Sequence, residues 1–306
     1  MRQLHASDTP ARDSTGQRPP IDAARQAAQQ AGMAASMATR ATVRSPWFAA
    51  LARLGYAAKG VVYLVIGWLA LLTAIRAGGK TTDPQGAITA IYHQPFGKAL
   101  LVIIVVGFIG YALWQFLRAA LNVDSESDPK KDTVMRIGFA IVGVTYLGFA
   151  LAALRLLLRN AAPQGSNTSA QDWTARLLTA PFGQVLVILL GVIVLGVAVA
   201  LFYQAWKRRF ERYFAVGQMN SVERKIMQIT GRYGIGALGA IFVVTGLFLI
   251  EAAVRHNAQQ AEGIAGALAT LAAQPFGPVL LGLVAVGLVA YGLFGWVEAR
   301  YRRIGA

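Results

Sequence analysis

The sequence predicts an all-α membrane protein with six transmembrane helices, which form three tandem two-helix repeats. Three observations support this fold class: the apolar composition, the lengths of the apolar segments and an internal repeat. Of the 306 residues, 56% are hydrophobic and only 14% are charged, whereas soluble domains have about 45–50% apolar and about 25% charged residues. This excess of apolar residues indicates a chain that folds inside a bilayer.

The apolar residues are concentrated in six continuous segments of about 22–26 residues each. About 20 residues in a helix cross the hydrocarbon core of a membrane. Strands of a membrane barrel are about 10 residues long and alternate apolar with polar residues, so the continuous segments indicate helices. The six segments are 54–77, 96–121, 134–158, 182–206, 230–254 and 276–299.

Lysine and arginine residues are distributed unequally between the two sides of the predicted membrane domain. Of the 29, 21 lie on the side that carries both chain termini, 7 lie on the opposite side, and Lys59 lies within a span. Basic residues favour the cytoplasmic side, so both termini are predicted to be cytoplasmic. The clusters at 207–212 and 300–303 are expected to contact anionic lipid headgroups. Membrane lipids are therefore the expected partners, and the net charge of +15 does not require nucleic acid.

The predicted organisation has four parts. Residues 1–45 are rich in Ala, Gln, Arg, Ser and Thr, a composition that predicts a disordered cytoplasmic tail. The three repeats follow as 46–122, 123–210 and 211–306, with two spans in each. Each repeat begins and ends on the same side, so the copies are parallel, unlike the inverted repeats of many transporters. Such copies can form a pseudo-threefold bundle or a row of hairpins.

Glycines mark the internal repeat in the odd-numbered spans. When these spans are aligned on Gly55, Gly138 and Gly234, each has glycine again five residues later and a small residue twelve residues later. Small residues allow helices to approach closely in a bilayer, where lipid supplies no hydrophobic drive between helices. The glycines predicted to pack helices are Gly60, Gly67, Gly143, Gly239 and Gly246.

A Pro-Phe-Gly motif precedes each even-numbered span. Proline suits the first turn of a helix, so each even-numbered span is expected to open with this motif. The motifs are at 95–97, 181–183 and 275–277. Before each motif, apolar residues recur at three- to four-residue spacing, which predicts a short amphipathic helix in the membrane interface. These short helices are predicted at 86–93, 172–179 and 266–273.

Local sequence also carries a family resemblance. The segments RLGYAAKGVVY at 53–63, QGA at 85–87, QPFG at 94–97 and GYALW at 110–114 resemble a bacterial membrane family, domain of unknown function 1206. The resemblance covers about residues 50–300 in three copies, of which the second departs most. It implies a bacterial plasma-membrane location and tandem hairpins, and it supplies no catalytic residues.

Signatures of catalysis are absent from the sequence. There is no cysteine, and the three histidines occupy unrelated places, so no helical histidine pair for zinc exists. Paired carboxylates, a glycine-rich phosphate loop and a serine elbow are also absent. We therefore expect no enzymatic activity, no cofactor and no metal ion.

Several charged residues are candidates for function or lipid contact. Lys59 lies five residues into the first span, where it is either a ligand or gating residue or, as we favour, a lysine that extends to the headgroups. Glu251 and Arg255 have the spacing of a helical ion pair. Arg155 occupies the position equivalent to Glu251 in the second repeat, so it is an alternative partner across a bundle.

Arginine recurs 21 residues after the first aligned glycine of each repeat, as Arg76, Arg159 and Arg255. These arginines either anchor the span ends to lipid phosphates or form a ring that attracts anions. A structural, scaffold or lipid-associated accessory protein is the favoured function. The alternative is a small-solute or anion channel or transporter along a pseudo-threefold axis, for which the spans offer few polar residues.

Overall fold

The computed structural model describes residues 45–121, 129–159 and 166–304, which are mainly helical and contain no β-strand. Six of these helices are long and apolar enough to span a membrane, which confirms the predicted fold class. The predicted disordered tail lies outside the described residues except for Ser45. The spanning helices are α1 (Pro46–Ala74), α3 (Gly97–Leu121), α4 (Pro129–Arg159), α6 (Gly183–Lys207), α7 (Ser221–Val254) and α9 (Gly277–Tyr301).

Three short helices precede the even-numbered spans, as the apolar spacing predicts. They are α2 (Pro84–Tyr92), α5 (Ser166–Leu178) and α8 (Ile264–Ala273). The side chain of Asp83 caps α2, because it accepts a hydrogen bond of 2.7 Å from the backbone N–H of Gly86. We call the end of the spans that carries these helices the short-helix side, and the opposite end, where α1 begins and α9 finishes, the basic side.

The Pro-Phe-Gly motifs form turns rather than first helical turns, so that expectation was wrong. Helices α3, α6 and α9 begin at the glycine. The phenylalanine before each glycine is left-handed, with φ of 62° at Phe96, 61° at Phe182 and 64° at Phe276. This conformation costs energy for a residue with a side chain. The three rings are 82–91% exposed at the short-helix side, as expected of aromatic residues in a membrane interface.

The spanning helices follow one another in an arc that joins the first and last repeats. Extensive contacts pair α3 with α4, α6 with α7, and α9 with α1, and each of these pairs joins two different repeats. Within repeats, α1 packs on α3 and α7 packs on α9, whereas the described parts of α4 and α6 make no extensive contact. The arrangement is therefore pseudo-threefold, with one of its six helix contacts left open.

Glycines explain the contacts within repeats. A methyl group on Gly55 would lie 2.6 Å from the carbonyl oxygen of Gly107 on α3, and one on Gly234 would lie 2.6 Å from the backbone nitrogen of Tyr291 on α9. Both helix pairs therefore need glycine to approach closely. The equivalent Gly138 on α4 has nothing within 4 Å of such a methyl group, because α6 is not beside it.

The contacts between repeats use the glycines that the sequence analysis selected. A methyl group on Gly60 would lie 2.6 Å from the carbonyl oxygen of Gly292 on α9, and one on Gly143 would lie 2.9 Å from the ring of Phe116 on α3. The equivalent Gly239 on α7 faces α6 at 3.4 Å. Each of these three glycines thus contacts the repeat before its own, and for Gly60 in the first repeat that neighbour is the third repeat. Gly67 and Gly246 extend the same contacts toward α9 and α6.

Aromatic side chains fill the interior of the arc. Tyr63 packs edge-on against Tyr291 with ring centroids 4.8 Å apart, and Tyr146 packs against Tyr111 at 4.5 Å and Phe108 at 5.2 Å. Tyr63 and Tyr146 hold the same position in the first and second repeats. The rings belong to, or pack against, one continuous apolar core, so the interior at this level is packed.

Candidate functional site

A buried ion pair is the most unusual feature of the interior. The ammonium group of Lys59 on α1 donates a hydrogen bond of 2.5 Å to a carboxylate oxygen of Glu298 on α9. The two side chains are only 4% and 5% exposed. A buried charge is costly unless it is paired and hydrogen-bonded, so each residue depends on the other. The pair joins the first repeat to the last.

A second cation completes this cluster. Arg302 lies four residues after Glu298, one turn further along, and its guanidinium donates to the other carboxylate oxygen. The side chain of Arg302 is 10% exposed, and its guanidinium carbon lies 4.9 Å from the ring centroid of Tyr56 and 5.0 Å from that of Tyr213. The single carboxylate therefore binds one cation on each of its two oxygens.

Three tyrosines surround the ammonium group of Lys59. Its nitrogen lies 5.2 Å from the ring centroid of Tyr56, 5.6 Å from that of Tyr111 and 5.0 Å from that of Tyr291. These distances fall within the roughly 6 Å at which a cation is attracted to an aromatic ring. The hydroxyl of Tyr56 in turn accepts a hydrogen bond of 3.0 Å from the indole N–H of Trp114. The cluster therefore stabilises a cation by a carboxylate and aromatic rings together.

The connection between α6 and α7 covers the cluster on the basic side. This connection contains two short 3₁₀ segments, Arg209–Tyr213 and Val216–Gln218. Phe210 and Phe214 are buried against Phe294 of α9, with ring centroids 5.3 Å and 5.5 Å apart. The backbone N–H of Arg303 also donates to the carbonyl of Tyr213 at 3.0 Å. These contacts hold Tyr213 beside Arg302.

Sequence comparison assigns this chain to a family. A family model described as Domain of Unknown Function (DUF1206) matches it three times, over residues 54–122, 137–208 and 233–302. The chain belongs to the DUF1206 family. This confirms the predicted resemblance and its three tandem copies. Because the first match contains Lys59 and the last extends to Arg302, the whole charged cluster lies within segments that the DUF1206 model matches.

A curated relative supports the assignment. "Uncharacterized protein YxxB" of Bacillus subtilis (strain 168) is 34% identical over 260 residues, which cover 85% of this chain and 93% of the relative. No solved structure is significantly similar to this DUF1206 chain.

Lys59 was a candidate from the sequence, but its surroundings differ from those expected. The side chain does not extend to the headgroups, because it is buried against Glu298. Sequence analysis missed Glu298 as its partner. The signal lay in the DUF1206 repeat: Glu298 is 21 residues after the glycine of Pro-Phe-Gly, where the other copies have the polar residues Arg118 and Gln204.

The other charged candidates lie at the short-helix side. Glu251 and Arg255 form the predicted ion pair at 2.9 Å, with side chains 43% and 62% exposed. Arg155 is exposed on α4, and Glu251 pairs along its own helix. Arg76 and Arg159 are exposed at the ends of α1 and α4. The described contacts do not join the three repeated arginines to one another.

Proposed function

We propose that this DUF1206 protein is a structural protein of the bacterial cell membrane, a scaffold whose repeats are held in one fixed arrangement. One observation carries the proposal: the Lys59–Glu298 pair, buried at 2.5 Å, joins the two repeats that are furthest apart in sequence. Separating Lys59 from Glu298 would leave an uncompensated buried charge, so opening this contact is costly. A fixed contact between the first and last repeats is more consistent with a scaffold than with a transporter that changes conformation.

The filled interior supports the same proposal over the channel alternative. A selective channel needs a path lined by polar groups. Here the buried charges of Lys59, Glu298 and Arg302 bind one another, and rings such as Tyr63 and Tyr146 occupy the neighbouring space. The proposal also includes membrane lipids as partners and no enzymatic activity.

The basic side is proposed to be cytoplasmic, with both termini there. The proposal rests on the excess of lysine and arginine on that side. A reporter enzyme that is active only outside the cytoplasm should be silent when fused after Ala306 and active when inserted after Gly165. Activity at Ala306 would reverse the proposed orientation.

Distance measurements can test whether the repeats keep one arrangement. Because the chain contains no cysteine, two can be introduced for spin labels at the exposed positions Leu147 on α4 and Leu189 on α6. Helix α4 packs on the first repeat and α6 packs on the third, so this distance changes if those repeats separate. A scaffold should give one distance distribution in liposomes, unchanged by salt gradients or added chloride and phosphate. Two distances between the labels whose populations change with added solute would contradict the scaffold and support alternating access.

Flux measurements complete this test. Liposomes that contain the protein should pass chloride and phosphate no faster than empty liposomes. The variant with Arg76, Arg159 and Arg255 all changed to Gln should behave in the same way. Flux that is present in the natural protein and lost in this variant would establish the anion channel instead.

A further inference from the structure

An apolar groove lies on the outer surface of the arc, between α6, α7 and α9. Its volume is about 870 Å³, within the roughly 300–1,000 Å³ of sites that bind small ligands. Its walls are mainly aliphatic and aromatic, and include Val199, Phe202 and Val286. These three side chains are 42–67% exposed. A surface of this kind in a transmembrane domain faces the acyl chains of lipids.

One end of the groove is basic and aromatic. Arg232 lines it there, with the guanidinium carbon 5.7 Å from the ring centroid of Trp206, which is 72% exposed. Tyr203 also lines the groove, and Arg209 lies over its ring at 5.3 Å. Trp206 is the penultimate residue of α6, so this end is at the basic side of the membrane domain. Cations beside interfacial aromatic rings are suited to a lipid phosphate.

The floor of the groove contains a glycine that no helix contact explains. A methyl group on Gly236 of α7 would meet nothing within 4 Å, although the neighbouring Gly234 packs tightly against α9. Glycine is less favourable than alanine inside a helix by about 1 kcal/mol. A larger side chain at position 236 would therefore occupy part of the groove. The groove also extends along α6 from Trp206 to Val199, a distance of about 10 Å at the rise of a helix.

We propose that this groove binds an anionic phospholipid from the leaflet on the basic side, with its phosphate against Arg232 and one acyl chain over Gly236. Charge and shape support this occupant together. The basic end matches a phosphate, and the apolar wall continues from that end into the hydrocarbon region, as a phospholipid does. A soluble phosphate would use only the arginine and leave the apolar groove unfilled. The site rests on the proposed membrane location with lipid partners, and it does not involve the Lys59–Glu298 pair.

Native mass spectrometry of the full chain tests this site. The probes are phosphatidylglycerol and phosphatidylcholine, mixed in equal amounts with the purified protein. We expect the natural protein to retain phosphatidylglycerol better than phosphatidylcholine, and Arg232 to contribute about fivefold, which is the effect of one basic residue near a lipid surface. Arg232→Gln should remove this fivefold contribution, whereas Arg232→Lys should keep much of it.

Gly236→Leu tests the apolar part of the groove. The new side chain would occupy open space, so the helix should fold while the retention of both lipids falls. Gly148→Leu is the matched control, because Gly148 of α4 also has nothing within 4 Å and lies outside the groove. Far-UV circular dichroism and thermal unfolding would establish that each variant is folded.

Two results would overturn the proposal. One is unchanged phosphatidylglycerol retention in both Arg232→Gln and Gly236→Leu. The other is displacement of the lipid by inorganic phosphate, which would indicate a site for a free anion. Neither result would bear on the distances between α4 and α6, so failure of this site is distinguishable from failure of the scaffold.

Discussion

Glu298→Gln should be the most destabilising single substitution in the charged cluster. It leaves Lys59 and Arg302, both nearly buried, as two like charges without the carboxylate between them. Removal of one member of a buried ion pair costs about 3–5 kcal/mol, and the repulsion between two cations adds to that cost. Equilibrium unfolding in mixed micelles, followed by helix content, measures the loss of stability.

Two further variants make this prediction specific. Lys59→Met should cost less than Glu298→Gln, because Arg302 still binds the carboxylate. The double variant should be more stable than the sum of the two single losses indicates, since Met leaves no lysine charge to be uncompensated. If the two losses add to within about 0.5 kcal/mol, as independent sites do, the pair is not coupled and the interpretation of the cluster fails.

Gly60→Leu should lower the free energy of unfolding by about 3 kcal/mol, the upper part of the usual range for overpacking. The first atom of the new side chain would lie 2.6 Å from the carbonyl oxygen of Gly292. A backbone oxygen in a helix cannot rotate away, so α1 and α9 would have to separate. That separation would also strain the Lys59–Glu298 pair. Unfolding in mixed micelles again gives the measurement.

Two glycines of the second repeat provide controls: Gly143, which is equivalent to Gly60, and Gly138, which is equivalent to Gly55. Gly143→Leu should cost less than Gly60→Leu, because the neighbouring atoms belong to the side chain of Phe116, which can turn. Gly138→Leu should change the stability by no more than about 0.5 kcal/mol, as expected for a substitution without contacts. A large loss at Gly138 would show that α4 and α6 close on each other in the membrane.

Much of the fold was predictable because its determinants are local. The length of an apolar segment and its distance from the next are sufficient to place a span, and the Pro-Phe-Gly motif located each short helix. The turn at Phe96 was not predictable in the same way. A left-handed phenylalanine is rare, and the close approach of Gly97 to the backbone of the preceding short helix is seen only once the helices are placed.

The arrangement of the repeats and the charged cluster depends on contacts that local sequence does not encode. Gly55 and Gly138 are the same residue at the same repeat position, yet one packs against a helix and the other meets no neighbour. Lys59 and Glu298 are separated by 239 residues. Sequence reasoning identified the lysine as unusual, but a charge in a span has several possible partners until the helices are placed in space.

The separation between Lys59 and Glu298 also has a consequence for biogenesis. At about 5–20 residues synthesised per second, the 239 residues from the one after Lys59 to Glu298 take roughly 12–48 s to make. During that interval the newly inserted α1 has no carboxylate from α9, and its lysine can reach the headgroups by extending along the helix. We expect insertion of the final span to bring the lysine inward to Glu298. The last helix is therefore the step that closes the assembly, and a chain truncated before α9 would lack the carboxylate that Lys59 binds.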